Sequence, residues 1–373
     1  MALSKVDLAN QVENQLPQGL VANNLPYRNI IINGDMSIAQ RNTSVAGITS
    51  GGYLTVDRQS FVIVNQGTFT MSQETDVPSG QGFTKSLKFN CTTADASPTG
   101  TDRLYLSNRF EGQNLQYLKK GTANAESVTA SFWVKSNKTG TYIAELFDND
   151  NTRQISQAYT INSSNTWEKK TLTYEGDTSG ALDNDNNNSL ELNLWFGGGS
   201  TFTGGTLNTS WNANVNNKRA SGVVNLADNT ANEWYITGVQ LEAGTTASDF
   251  EFLPYDMNLE RCQRYYQVDD YVASGYITVG QAFNSTTAGG VYYFKKMRAA
   301  PAVTFPPASL SNGGVFLAAN GGFPSSAGTN SISNISDTNF RILGSGYTGL
   351  TASGPSVCFS QGATQQVKMD AEL

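Results

Sequence analysis

The run LELNLWF at residues 190–196 puts Leu190, Leu192, Leu194 and Phe196 on one side of an extended chain, and Glu191, Asn193 and Trp195 on the other. A flat indole beside an amide and a carboxylate is equipped to stack on a pyranose ring and to pair with its hydroxyls. The same trio also suits a contact between subunits, or packing under a loop. Trp211, inside the Asn-rich run 208–217, is a looser candidate of the same kind. Nearer the C-terminus, Tyr271, Tyr276, Phe283, Tyr292, Tyr293, Phe294, Phe323 and Tyr347 lie in a Gly-rich region. Some of these must form a core. Phe323 and Tyr347, at turn signals, are the candidates for contact with a receptor.

Other chemistry is thinned out by what the chain lacks. It contains no histidine, so no imidazole base, no Ser-His-Asp triad and no His-ligated metal can be built. Paired carboxylates survive this cut, but they need a separation of roughly 5–9.5 Å in space, and nothing resembles a hydrolase motif. The expectation is a non-enzymatic chain with no catalytic residues and no cofactor. Gly197–Gly199 lacks the Lys-Ser/Thr of a phosphate loop. Two acidic runs, residues 148–151 and 183–187, are dense in hard oxygen ligands, yet neither matches an EF-hand. They are read as solvated loops, and no metal site is assigned. The three cysteines, Cys91, Cys262 and Cys358, are widely spaced and read as small buried hydrophobes.

Charge narrows the partners. A net charge of −7 repels phosphate backbones, so nucleic acid is not expected. No segment approaches the ~18 apolar residues of a membrane span, so no membrane insertion is expected. The N-terminus has no apolar core of a secretory signal. The chain is therefore expected to be made in a cytoplasm without export.

The elements that position these residues are strands. Only 15% of residues are charged, against ~25% in ordinary soluble domains. In residues 127–136, Val128, Ala130, Phe132 and Val134 alternate with Thr129, Ser131, Trp133 and Lys135. Period-two alternation marks a strand with one face in a core. Many such runs, separated by Gly/Asn/Asp/Ser clusters, indicate a sandwich. Leu3, Val6, Ala9, Val12 and Leu16 instead suit one face of a short N-terminal helix, too short to stand alone in water. A second helix is expected in residues 254–266. The expected architecture is all-β: an N-terminal helical anchor (1–26), a jelly-roll domain (27–267) and a smaller C-terminal β-sandwich tip (268–373).

Five segments carry a resemblance: NIIINGDMSIAQR (29–41), SFWVKSNKTGTY (131–142), TWEKKTLTYEGDTSG (166–180), WYITGVQLEAG (234–244) and LERCQRYYQ (259–267). In this order they resemble a tail-fibre module of bacteriophages of marine bacteria and cyanobacteria, with a carbohydrate-binding-like jelly roll and a variable C-terminal tip. The closing DAEL (370–373) is similar to the ending of such tips. The resemblance implies a virion protein, a tail-fibre subunit that adsorbs to a host-surface glycan. Oligomerisation is expected because weak single sites gain avidity when linked, with a homotrimer the expected number. The marginal N-terminal helix is expected to pair with copies of itself or to dock on a tail or baseplate protein through residues 1–26. The resemblance supplies no catalytic residues. A structural capsid or tail decoration without a ligand is the alternative, and a polysaccharide depolymerase is a more distant one.

Overall fold

The computed structural model describes residues 27–373 apart from 274, 310, 312, 319–327 and 363. The N-terminal helix expected within residues 1–26 lies outside the described residues. The chain divides into two compact units, one ending at Tyr255 and the other spanning Asp256–Leu373.

Among the described residues the first unit holds thirteen strands. In chain order these are β1 (Ser44–Ile48), β2 (Gly52–Tyr53), β3 (Ser60–Val64), β4 (Thr68–Glu74), β5 (Ser86–Thr93), β6 (Arg103–Glu111) and β7 (Val128–Ser136). There follow β8 (Gly140–Asp148), β9 (Arg153–Ile161), β10 (Glu168–Tyr174), β11 (Asn188–Gly198), β12 (Asn212–Ala213) and β13 (Glu233–Ala243). They form two antiparallel sheets, ordered β1-β4-β5-β13-β7-β10 and β12-β9-β8-β11-β6-β3-β2. The expected sandwich is what the structure contains.

Alternation decides which side chains fill it. Leu190, Leu192, Leu194 and Phe196 of β11 face Val128, Ala130, Phe132 and Val134 of β7 across one core. Its centre is aromatic: Phe61 lies 4.7 Å from Phe89, Phe89 5.4 Å from Phe196, and Phe196 5.1 Å from Trp234. These offset arrangements satisfy ring quadrupoles as well as burying area. The 29–41 segment acts as a polar clamp. Asn29 Oδ1 accepts from the backbone N–H of Ile31 and Leu241, while Asn33 Nδ2 donates to the carbonyls of Ile38 and Asp57.

A helix (Tyr255–Gln263) starts on the last residue of the first unit and runs into the second; it buries Asn258 and Cys262, four residues apart and so on one face. Pro254 stands just before it, where a missing N–H costs nothing. The second unit's strands are β14 (Tyr266–Tyr271), β15 (Tyr276–Ala282), β16 (Thr287–Tyr293), β17 (Ala302–Thr304), β18 (Gly313–Ala318), β19 (Thr329–Ser333), β20 (Asn339–Ser345), β21 (Pro355–Gln361) and β22 (Gln365–Asp370). A three-stranded sheet, β14-β22-β17, and a six-stranded sheet, β18-β21-β15-β16-β20-β19, enclose a smaller core that includes Tyr292, Phe316, Phe340, Ile342 and Met369. All three cysteines are buried and none is in a disulfide. Burial pushes the Cys91 thiol up to about 11 and the Cys358 thiol up to about 12, which leaves neither as a nucleophile near neutrality.

Candidate functional site

A sandwich has two outer sheet faces, and the first unit treats them differently. On the seven-stranded sheet, the outward row runs Ser107 (β6), Asn193 (β11), Glu145 (β8) and Ser156 (β9); the next row runs Tyr105, Trp195, Ile143 and Ala158. Beyond β11 the chain does not return directly. Residues 199–224 run back over this face.

The cover is held by both apolar and ionic contacts. Phe202 packs 5.3 Å from Trp195, whose other neighbour, Tyr105, is 4.3 Å away; Ala220 joins this cluster. Arg219 donates to both carboxylate oxygens of Glu145, at 2.7 and 2.9 Å. Trp195 Nε1 and Asn193 Nδ2 donate to the same carboxylate, at 3.0 and 3.2 Å. The Arg219 guanidinium also lies over the Phe147 and Trp195 rings, 4.5 and 5.3 Å from their centres. Burial opposes the charge on Arg219, but Glu145 outweighs it, and its pKa is raised.

This places the residues singled out from sequence. Trp195 and Asn193 have no exposed surface and Glu191 has 9%. Of the three uses open to Trp195, packing under a loop is the one the fold realises: the ring offers no free face to a ligand. Glu191 stands 3.5 Å from Arg109 and accepts from Asn188 and Asn193. Ser107 Oγ and Asn193 Oδ1 are buried with no hydrogen-bond partner among the described residues. Trp211 is half-buried within the cover; its Nε1 donates to the Glu175 carbonyl and its ring takes the Lys120 ammonium, 5.0 Å from its centre. Phe323 lies outside the described residues. Tyr347 is core rather than surface: it is fully buried, with its hydroxyl bonded to Asn330 Oδ1 at 2.8 Å, because Gly344 leaves room for its ring.

The two acidic runs meet one another. Asp150 Oδ2 accepts from the Asp183 N–H, and the Lys120 ammonium sits among Asp148, Asp177 and the Gly180 carbonyl. Arg153 adds a two-point contact to Asp177. Burial opposes the charge of Asp177, but Arg153 and Lys120 outweigh it and hold its carboxyl below the ordinary range.

Among the described residues the outer face of the six-stranded sheet is covered only in part: Thr129, Ser131, Thr237, Gln240 and Glu242 are buried, with Thr237 bonded to the Lys85 carbonyl and Gln240 and Glu242 to Ser248, while Trp133 stays partly open. Pairing sets Lys88 (β5) beside Tyr235 (β13), Tyr235 beside Lys135 (β7), and Trp133 (β7) beside both Thr237 (β13) and Lys169 (β10). Trp167 precedes β10 by one residue and so falls next to Lys135. Its ring meets Tyr235 edge-on at 6.2 Å, and the Lys135 ammonium lies 4.1 Å from the Tyr235 ring centre and 5.5 Å from that of Trp167. Trp133 and Trp167 keep part of their surface open. Asp76 locks the arrangement, accepting from Trp167 Nε1 at 3.0 Å and pairing with Lys135. Burial raises the Asp76 pKa, but the hydrogen bonds from Lys135 and Trp167 outweigh it and leave the carboxyl below its ordinary range. Lys88 pairs with Glu233 at 2.7 Å.

Sequence reasoning named none of this strip as a site. Alternation in β7 does put Trp133 on the outer face. Trp167 carries no such signal, because it sits just outside its strand, and its meeting with Tyr235 depends on the order β10-β7-β13.

No protein-family model matches the chain, and no curated protein matches it. Among solved structures it is similar to the enzymatically active domain of tailspike protein 4 of bacteriophage CBA120, with TM-score 0.31 and 15% identity over 59% of this chain. The match spans 22% of that tailspike chain. It is also similar to a Bacteroides thetaiotaomicron protein described as sugar binding (TM-score 0.33, 13% identity, 58% of this chain and 99% of that one). A family 11 carbohydrate-binding module from Clostridium thermocellum gives TM-score 0.25 and 8% identity over 58% of this chain and 96% of the module. None of these likenesses identifies the chain. The class that the fold itself defines is an all-β protein of two antiparallel sandwiches.

Proposed function

We propose that this chain is a carbohydrate-binding subunit of a phage tail fibre, and that Trp133 and Trp167, braced by the buried Tyr235, form its saccharide platform. The observation that carries the reading is the strip itself. It sets two partly open indoles on the sheet, with the Lys135 ammonium over the Tyr235 and Trp167 rings and the Asp76 carboxylate at the Trp167 Nε1 edge. Sugar C–H groups pack on such rings, while the charged rim pairs with hydroxyls. The rings come from three of the segments that resemble the fibre module (131–142, 166–180 and 234–244), so one resemblance and one geometric feature coincide. Binding without turnover fits a chain with no histidine. In this reading the protein is part of the virion, residues 1–26 attach it to the tail or baseplate, and several copies act together so that weak single sites gain avidity.

The test is binding of the full chain to polysaccharides extracted from the host envelope, compared with Trp133→Ala and Trp167→Ala. Each variant is expected to bind roughly tenfold or more weakly with a nearly unchanged melting temperature. Equal binding by wild type and both variants would move the site elsewhere. No binding by wild type to any envelope glycan, with adsorption of the virion intact, would leave a decoration protein without a ligand.

A further inference from the structure

The second unit exposes an apolar sheet face for which the saccharide reading has no use. Register places Gly280 of β15 opposite Gly290 of β16, and Val291 and Tyr293 of β16 opposite Arg341 and Asn339 of β20. Val279 and Val291 therefore point out on the same side. Val279 is 72% exposed, Tyr293 74%, Tyr276 69%, Phe283 45% and Val291 40%. The surface is flat because its middle is glycine: the Phe283 ring lies over Gly289, where a Cβ would come within 3.0 Å of it, and Arg341 lies over that ring, 5.6 Å from its centre.

We infer that this face of the β15-β16-β20 sheet is where a second copy of the chain docks. Two arguments select that occupant. The first is area. Three rings and two valines at these exposures leave roughly 550 Å² of apolar surface, at the top of what a monomer carries as its largest patch. Two such faces pressed together hide roughly 1,100 Å², and a margin of Gln281 and Asn339 brings the total into the ~1,200–2,000 Å² of stable interfaces. The second is charge. Each copy carries a net −7, so copies repel over most of their surface. This face has no carboxylate among the residues named, and its one cation, Arg341, is spread over an aromatic ring. It is a surface on which like-charged copies can meet at low electrostatic cost. Sheet-to-sheet packing of β-branched and aromatic residues is the geometry such faces adopt.

The inference does not depend on the saccharide platform, which lies in the other unit. Its test is the mass of the full chain in solution by light scattering, for wild type and for Val279→Glu/Tyr293→Glu. Wild type is expected to pair through this face, at twice 40.1 kDa, and the double variant at a single copy, with a dissociation constant raised at least tenfold. Wild type at a single copy overturns the inference. So does a double variant that keeps the wild-type mass, or one that keeps the mass but loses adsorption to cells, since the face would then meet a receptor. Should the double variant fail to fold, Val279→Cys gives a second route. The native cysteines are buried, so a short bis-maleimide should join two copies through position 279. Failure of that cross-link in an otherwise native protein also counts against the inference.

Discussion

The two outer faces of the first unit begin from the same sequence rule, yet one buries its tryptophan completely and the other leaves two partly open. β11 and β7 both alternate a core side with a side bearing tryptophan and charge. Over β11 that second side is roofed by residues 199–224, and its charges are consumed internally: Glu145 takes Arg219, Trp195 and Asn193 together. Over β7, Thr129, Ser131 and Lys135 are also buried, but Trp133 keeps part of its ring open, and Lys135 and Asp76 hold the neighbouring Trp167 beside it. The lesson is that an outward tryptophan is a site only where no later stretch of chain returns to cover it. Substitutions should therefore separate the faces, costing stability on the roofed one and binding on the open one.

The largest effect is expected under the roof. Arg219→Met leaves Glu145 buried without its cation, and loss of one partner of a buried ion pair costs about 3–5 kcal/mol. For a unit of this size that lowers the melting temperature by roughly 6–20 °C, read by calorimetry. Trp195→Ala should fall in the same range, about 3–5 kcal/mol. A fall of less than 1 °C in both would mean that the roof is not a fixed part of the fold. On the open face, Trp133→Ala is expected to cost about 1 kcal/mol or less, because its ring is already partly in water. Its effect belongs to binding.

Gly238→Ala tests the backbone between the faces. The β13-β7 register shifts between Thr237 and Gln240, and Gly238 sits in that irregularity at φ +63°, with Phe83 within 2.5 Å of where a Cβ would stand. A side chain there meets both left-handed strain and a collision, so a loss of about 2 kcal/mol is expected from chemical denaturation.

Much of this contrast was legible in advance. Alternation alone sorted Leu190, Leu192, Leu194 and Phe196 to the core and Glu191, Asn193 and Trp195 away from it, and turn residues divided the strands. What sequence could not supply was the fate of the far side. Arg219 and Glu145 are 74 positions apart, and the run that brings Arg219 back is rich in Gly and Asn, so it reads as turn material. Tyr347 misled for a similar reason. A tyrosine between glycines looks like a loop tip, but Gly344 of β20 instead makes the hollow that its ring fills. Trp167 was hidden because period-two reasoning stops at the strand end.

The smallest effect expected is also the most specific to the open face. Asp76 holds Trp167 and Lys135 in register, and its carboxyl lies below the ordinary value of 3.8. A folded-state pKa depressed in this way adds stability that is present above the unfolded value and lost as pH falls through the folded one. The clamp should thus be intact at pH 5 and release only below about pH 3.8. Because Asp76 is largely exposed, solvent screens the interaction, and the change should appear in the surroundings of Trp167 before it appears in overall stability. The measurement is the fluorescence difference between wild type and Trp167→Phe, followed from pH 7 to pH 2.5 at low salt. Wild type should show a transition in the acid part of that range, and Asp76→Asn should show none there, with its Trp167 signal already altered at pH 7. A Trp167 signal that ignores both acid and the Asp76 substitution would detach the ring from its clamp, and with it the claim that the open face holds its aromatic groups in place for a ligand.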